Sequence, residues 1–122
     1  HSSSYQRQMI AEINTAYSTD LVVLDGVDAF VDGGPARGTR VEAGVILASS
    51  DRVAIDAVGV AILRSLGTTP EVSRGPIFEQ DQIARAAELG LGVKSPDQIQ
   101  IVSGDSESET FADRIRDILL KS

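Results

Sequence analysis

Hydrophobic and polar positions along the chain fall into two periods, and together they predict a sequence of elements. Residues 4–16 carry Met9, Ile13 and Ala16 or Tyr17 on one helical face, and Ser3 with Gln6 has the spacing of a capping box. Residues 20–25, DLVVLD, are a short aliphatic run between turn formers, which predicts a buried strand; residues 43–49, AGVILAS, predict a second. Ser49-Ser50-Asp51 then launches a helix through about Ser65, with Gly67 near its C-cap. That helix is apolar almost all round, so it is expected at the centre of the molecule.

The connector 68–77 contains Pro70 and Pro76, which argue against helix there. Ile83, Ala86 and Ala87 predict a helix over about 78–89, closed by Gly90. The alternating run 98–102, QIQIV, predicts a third strand with one dry face. Ser106 and Glu109 form another capping-box pair ahead of a helix carrying Phe111, Ile115, Ile118 and Leu119; Asp113, Arg114, Arg116 and Asp117 occupy its solvated face.

The resulting order (helix, strand, long loop, strand, two helices, strand, helix) predicts an α/β fold. The expected architecture is a small, mostly parallel three-to-four-stranded sheet packed with helices, a fragment of a larger α/β domain. Residues 1–122 form one domain in this reading, with 1–3 a tag remnant or disordered end, since the chain begins His1-Ser-Ser without Met. A native N-terminal region is expected to precede it, and another domain or chain to cover the sheet.

Composition narrows the chemistry. A formal charge of −7 and only two lysines, Lys94 and Lys121, exclude a nucleic-acid surface or an anionic membrane as partner. The longest apolar run, near 53–63, is interrupted by Asp56 and too short to cross a bilayer. With no cysteine, the chain offers no disulfide, no thiolate nucleophile and no ligand for an iron–sulfur cluster, and it fits the cytoplasm. The sole histidine is His1, so histidine triads are excluded and acid–base work falls to Asp, Glu, Tyr or Lys.

The candidate site centres on residues 25–38, DGVDAFVDGGPARG. Gly26, Gly33, Gly34 and Gly38 permit close approach or positive φ, Pro35 fixes one φ, and the bend could expose backbone amides as an anion-binding nest. Arg37 and Arg40 add fork-shaped donors for a small anionic ligand. Neither a Walker loop nor a dinucleotide fingerprint is present, and a purely structural corner is the competing reading. Asp25, Asp28 and Asp32 have no EF-hand spacing, and no metal is assigned to them, although magnesium needs only one or two carboxylates.

Asp51 stands at a strand-to-helix turn, either as N-cap or as a ligand contact, with Ser49 and Ser50 the better anion contacts. Asp56 lies one turn inside the apolar helix and needs donors there. The 32–40 loop is the expected source, making Asp56 either a latch or a direct ligand group. The site residues read from sequence are therefore Asp25, Asp28, Gly33, Gly34, Arg37, Ser50, Asp51 and Asp56, with no catalytic residue assigned and the question of an enzyme left open.

The ordered run DG…GGPARG…AGVILASSDRVAIDAVG, followed by AELGLG and QIQIVSG, resembles the C-terminal part of domain-of-unknown-function family 362 (DUF362) over roughly residues 8–105. Asp25, Gly26, Gly34, Pro35, Gly38, Asp51 and Asp56 match the family pattern, whereas Asp32 stands where many relatives have Gly. The resemblance implies no settled activity. It implies a redox context, since members often accompany iron–sulfur modules, whose cluster here would sit in a missing region or a partner. Two functions follow: a ligand- or cofactor-binding α/β domain of a larger protein, or a non-enzymatic interaction or assembly module with a structural glycine loop. A homodimer is among the expected partners.

Overall fold

A computed structural model describes residues 5–34 and 36–122. Helix α1, Gln6–Ile13, ends in a single 3-10 turn at Asn14–Ala16. Two twelve-residue strands follow, β1 (Val22–Gly33) and β2 (Gly38–Ser49). Next come α2 (Arg52–Leu66), a one-turn α3 (Pro70–Ser73), α4 (Asp81–Glu88) and α5 (Ser106–Lys121). Ser3 and Pro35, singled out from the sequence, lie outside the described residues.

The sheet corrects the expected fold class. β1 and β2 pair antiparallel, from Val22 opposite Ser49 to Gly33 opposite Gly38, and they are the whole sheet among the described residues. The predicted small, mostly parallel sheet of three to four strands is replaced by this hairpin and, among the described residues, five α-helices. The physical cause is the glycine stretch. Instead of a long excursion, it is strand through Gly33 on one side and again from Gly38 on the other. A Cβ on Gly38 would stand 2.1 Å from the Asp32 carbonyl oxygen, and one on Gly33 2.7 Å from that of Arg37. Both glycines also have positive φ, so a tight reversal is possible only without side chains there. Bulges at Gly26/Asp28 and Phe30/Asp32 absorb the broken alternation.

The predicted strand 98–102 is also corrected. Residues 96–98 make a 3-10 turn, Ile99 is extended, and residues 99–103 have no ladder pairing. Ile99 and Ile101 pack against the core, so the alternation marks a dry face rather than a paired edge.

α2 is central, as its composition predicts. Ala57 and Ala61 are fully buried, and around them pack Val53, Ile62, Ile77, Ile83, Ile115 and Leu119. One side of the hairpin (Val45 and Leu47 included) rests on α2, while α4 and α5 cover other sides. α1 packs on α4, where Arg85 pairs with Glu12 at 3.0 Å above buried Ala11. Pro70 occupies the first position of α3, where its missing N–H costs nothing, so the connector holds a helical turn after all. At α5 the cap is Asp105, which accepts from the Ser108 amide, rather than the Ser106–Glu109 box; Glu109 instead bonds Ser103 and Arg116. No helix among the described residues is long and apolar enough to cross a membrane.

Candidate functional site

The sequence candidates are spread along the hairpin and α2, with Asp25 and Asp28 within β1 and Asp56 inside α2. Gly33, Gly34 and Arg37 are at the hairpin tip; Ser50 and Asp51 follow its base, where Val22 faces Ser49. Eleven strand steps separate the ends, about 36 Å. The Thr68 hydroxyl donates to the Val31 carbonyl at 2.8 Å, which sets the tip beside the C-terminal end of α2. Ser50 and Asp51 stand at its N-terminal end. Gly33, Gly34 and Arg37 therefore stand at the opposite end of α2 from Ser50 and Asp51.

Several residues of this stretch have local partners. Asp25 accepts from the Val27 amide at 3.1 Å, bracing the first bulge, and Asp28 lies 3.9 Å from Arg40 on the open face of the hairpin. At the tip the Gly34 amide donates to the Arg37 carbonyl, and Phe30 packs where a Gly34 side chain would stand. Asp32 is exposed next to the second bulge. No group of three or more His, Cys, Asp or Glu side chains that could hold a metal converges among the described residues.

Asp51 is an N-cap with a second task. Its Oδ1 accepts from the Val53 and Ala54 amides, each at 2.9 Å, and its Oδ2 accepts from the Val93 amide at 2.9 Å. The Ser49 hydroxyl takes the Asp51 amide at 2.9 Å. The carboxylate thus occupies the first amides of α2, where a bound anion would otherwise sit. Ser50 is exposed.

Asp56 corrects a further expectation. Its donor is not the 32–40 loop but the side-chain amide of Gln82 on α4, at 2.9 Å. Ten helical residues, roughly 15 Å, lie between Asp56 and the end of α2 where the hairpin tip sits. Desolvation raises its pKa above the ordinary carboxylate value, and the Gln82 bond offsets part of that rise.

Asp56 and Gln82 open on a crevice of about 270 Å³ between α1, β1, α2 and α4. Its walls are largely aliphatic, with Ile10, Leu24, Val53, Ile83 and Leu91 among them, and Arg52 and Asn14 stand at its edge. Arg52 donates to the carbonyls of Asn14 at 2.8 Å and Tyr17 at 3.1 Å and lies over the Tyr17 ring, so it fixes the end of α1 against the start of α2. Sequence reasoning found Asp56 but missed Gln82, Arg52 and Asn14. The available signal was weak: Gln82 sits beside Ile83 and four residues before Ala86, on the inward side of α4.

A family model described as a domain of unknown function (DUF362) matches residues 1–61, the N-terminal half of the chain. The resemblance read over 8–105 and assigned to the C-terminal part of the family domain is corrected to that span; AELGLG and QIQIVSG lie outside it. No curated protein and no solved structure matches the chain.

Proposed function

The chain belongs to the DUF362 family, and from that premise we propose that it is a ligand-binding module whose site is the crevice at Asp56 and Gln82. The observation that supports this reading is a half-buried carboxylate, one turn inside the central helix, hydrogen-bonded to an amide rather than to a cation. Burying a carboxylate against aliphatic walls costs stability, and such groups cluster where a protein recognises something. One oxygen of Asp56 accepts from Gln82, and both residues line the crevice. A small organic ligand with an apolar body and a positively charged or paired N–H head fits that arrangement. The head would meet the carboxylate and the body would displace water from Leu24, Ile83 and Leu91.

The glycine hairpin has a structural role in this reading, and the anionic ligand first expected at Arg37 is replaced by a cationic one at Asp56. Any link to iron–sulfur chemistry would run through a partner, because this chain has no cysteine. That absence also suits a reducing compartment such as the cytoplasm.

The test compares benzamidine with benzoate, in thermal melts at pH 7. Benzamidine at about five times its Kd stabilises the fold by about 1 kcal/mol, a Tm rise of roughly 4 °C. Benzoate leaves Tm unchanged, and Asp56→Asn abolishes the benzamidine response. An equal response to both compounds, or one that survives Asp56→Asn, removes the site from this crevice.

A further inference from the structure

β2 is paired along one edge only. Its other edge looks across a gap at residues 99–103, and no ladder bond joins the two among the described residues. Two contiguous crevices of about 590 and 390 Å³ run along this gap, sharing Ile46, Leu47, Val58, Ile101 and Val102. Both walls are held by other contacts. The Arg116 guanidinium on α5 donates to the Ile101 carbonyl, and Ser103 bonds Glu109, so residues 101–103 are fastened to α5 rather than to the sheet. On the opposite side, β2 is registered residue by residue on β1.

The gap is apolar within and acidic at its ends. Val58, Ile62 and Ile115 line its depth; Ile46 and Val102, 69% and 81% exposed, stand along it. Every ionisable side chain along the two crevices is a carboxylate: Asp51 at one end, Asp105 and Glu107 at the other. An unpaired edge carries a row of backbone donors and acceptors, and charge decides which chain can approach it.

We propose that this gap receives an extended segment of a partner protein, which adds to the free edge of β2. The segment alternates apolar and small polar residues and carries Lys or Arg at the end that meets Asp105 and Glu107. Main-chain hydrogen bonds to β2 supply affinity, and the floor formed by Val58 and Ile62 selects aliphatic side chains at alternate positions. The acidic rim, on a chain of net charge −7, rejects acidic segments.

A fluorescein-labelled heptapeptide alternating Val and Thr between terminal lysines tests this by polarisation and by amide hydrogen exchange. The lysine peptide binds, and protection rises in β2 over residues 43–48. Replacing both lysines by Glu weakens binding at least about tenfold, and N-methylation of alternate peptide amides removes it. Glu107→Lys, an exposed change, weakens the lysine peptide by about threefold and the effect shrinks in salt. Four results overturn the proposal: no binding at about 1 mM peptide, protection that appears away from β2, indifference to N-methylation, or concentration-dependent protection of β2 without peptide. The last would make a second copy of the chain the occupant.

Discussion

Gly92→Ala tests whether Asp51 is held as a staple between α2 and the 91–93 segment. A Cβ at position 92 would stand 2.1 Å from Asp51 Oδ1, 2.8 Å from its Cγ and 2.9 Å from its Oδ2. The carboxylate must retreat by about 1 Å, a shift that a free side chain would make at little cost. Here it accepts three amides at 2.9 Å, so retreat breaks them. Loss of the N-cap costs about 1 kcal/mol, and loss of the charge-assisted bond to Val93 about 1.5 kcal/mol more. Gly92→Ala is therefore expected to destabilise by about 2–3 kcal/mol, a Tm drop of roughly 8–12 °C. Asp51→Ala is expected to lose about the same, because it removes the same bonds. The decisive measurement is the double variant. With the carboxylate gone, the added methyl meets little, so the two losses fail to add by about 2 kcal/mol. Urea unfolding followed by far-UV circular dichroism reads all four proteins; the chain has no Trp for fluorescence. A Gly92→Ala protein within about 0.5 kcal/mol of the parent, or strictly additive losses, refutes the reasoning.

Two further outcomes concern Asp56 and the hairpin glycines. Burial raises the pKa of Asp56 in the folded state, so folding binds a proton that the unfolded chain releases, and stability falls as pH rises from the ordinary carboxylate value through the raised one. Asp56→Asn removes that slope: melts from pH 4 to pH 8 should show the variant gaining on the parent as pH rises, and a constant difference would contradict the assignment. Gly38→Ala places a Cβ 2.1 Å from the Asp32 carbonyl oxygen, whereas Gly44→Ala at φ 67° meets nothing within 4 Å. The first should lower the urea midpoint well beyond the second, which costs about 1 kcal/mol through backbone conformation alone; the reverse order would mean that the hairpin tip rearranges freely.

Much of the helical framework was legible because burial and period coincide in it. Val53, Ala57, Ala61 and Ile62 lie where an all-round apolar helix must be covered, and Ile115 and Leu119 mark the inward face of α5. The strands were legible only where both of their neighbours are apolar. Asp25, Asp28 and Asp32 look like loop residues in a sequence, yet they lie in β1, on a hairpin whose other face is uncovered, beside bulges that break strict alternation. The run at 98–102 shows the converse limit. Alternation reports which side chains are dry, and says nothing about whether the backbone has a neighbour to bond. At the candidate site, the carboxylate inside a greasy helix was a sound signal that Asp56 needs a donor. Its partner could not be read, because Gln82 comes from a helix 26 residues further on, and a glycine loop with two arginines offered a nearer and more conspicuous supply.

The bond from Val93 to Asp51 spans 42 residues. On a ribosome adding about 5–20 residues per second, roughly 2–8 s pass between the appearance of the two partners. Throughout that interval the first turn of the central helix has its own amides satisfied but lacks the clasp that fastens it to what comes later. The hairpin, whose partners are neighbours in the chain, is complete before the clasp exists, so during synthesis the growing chain presents its strands first and secures its centre last.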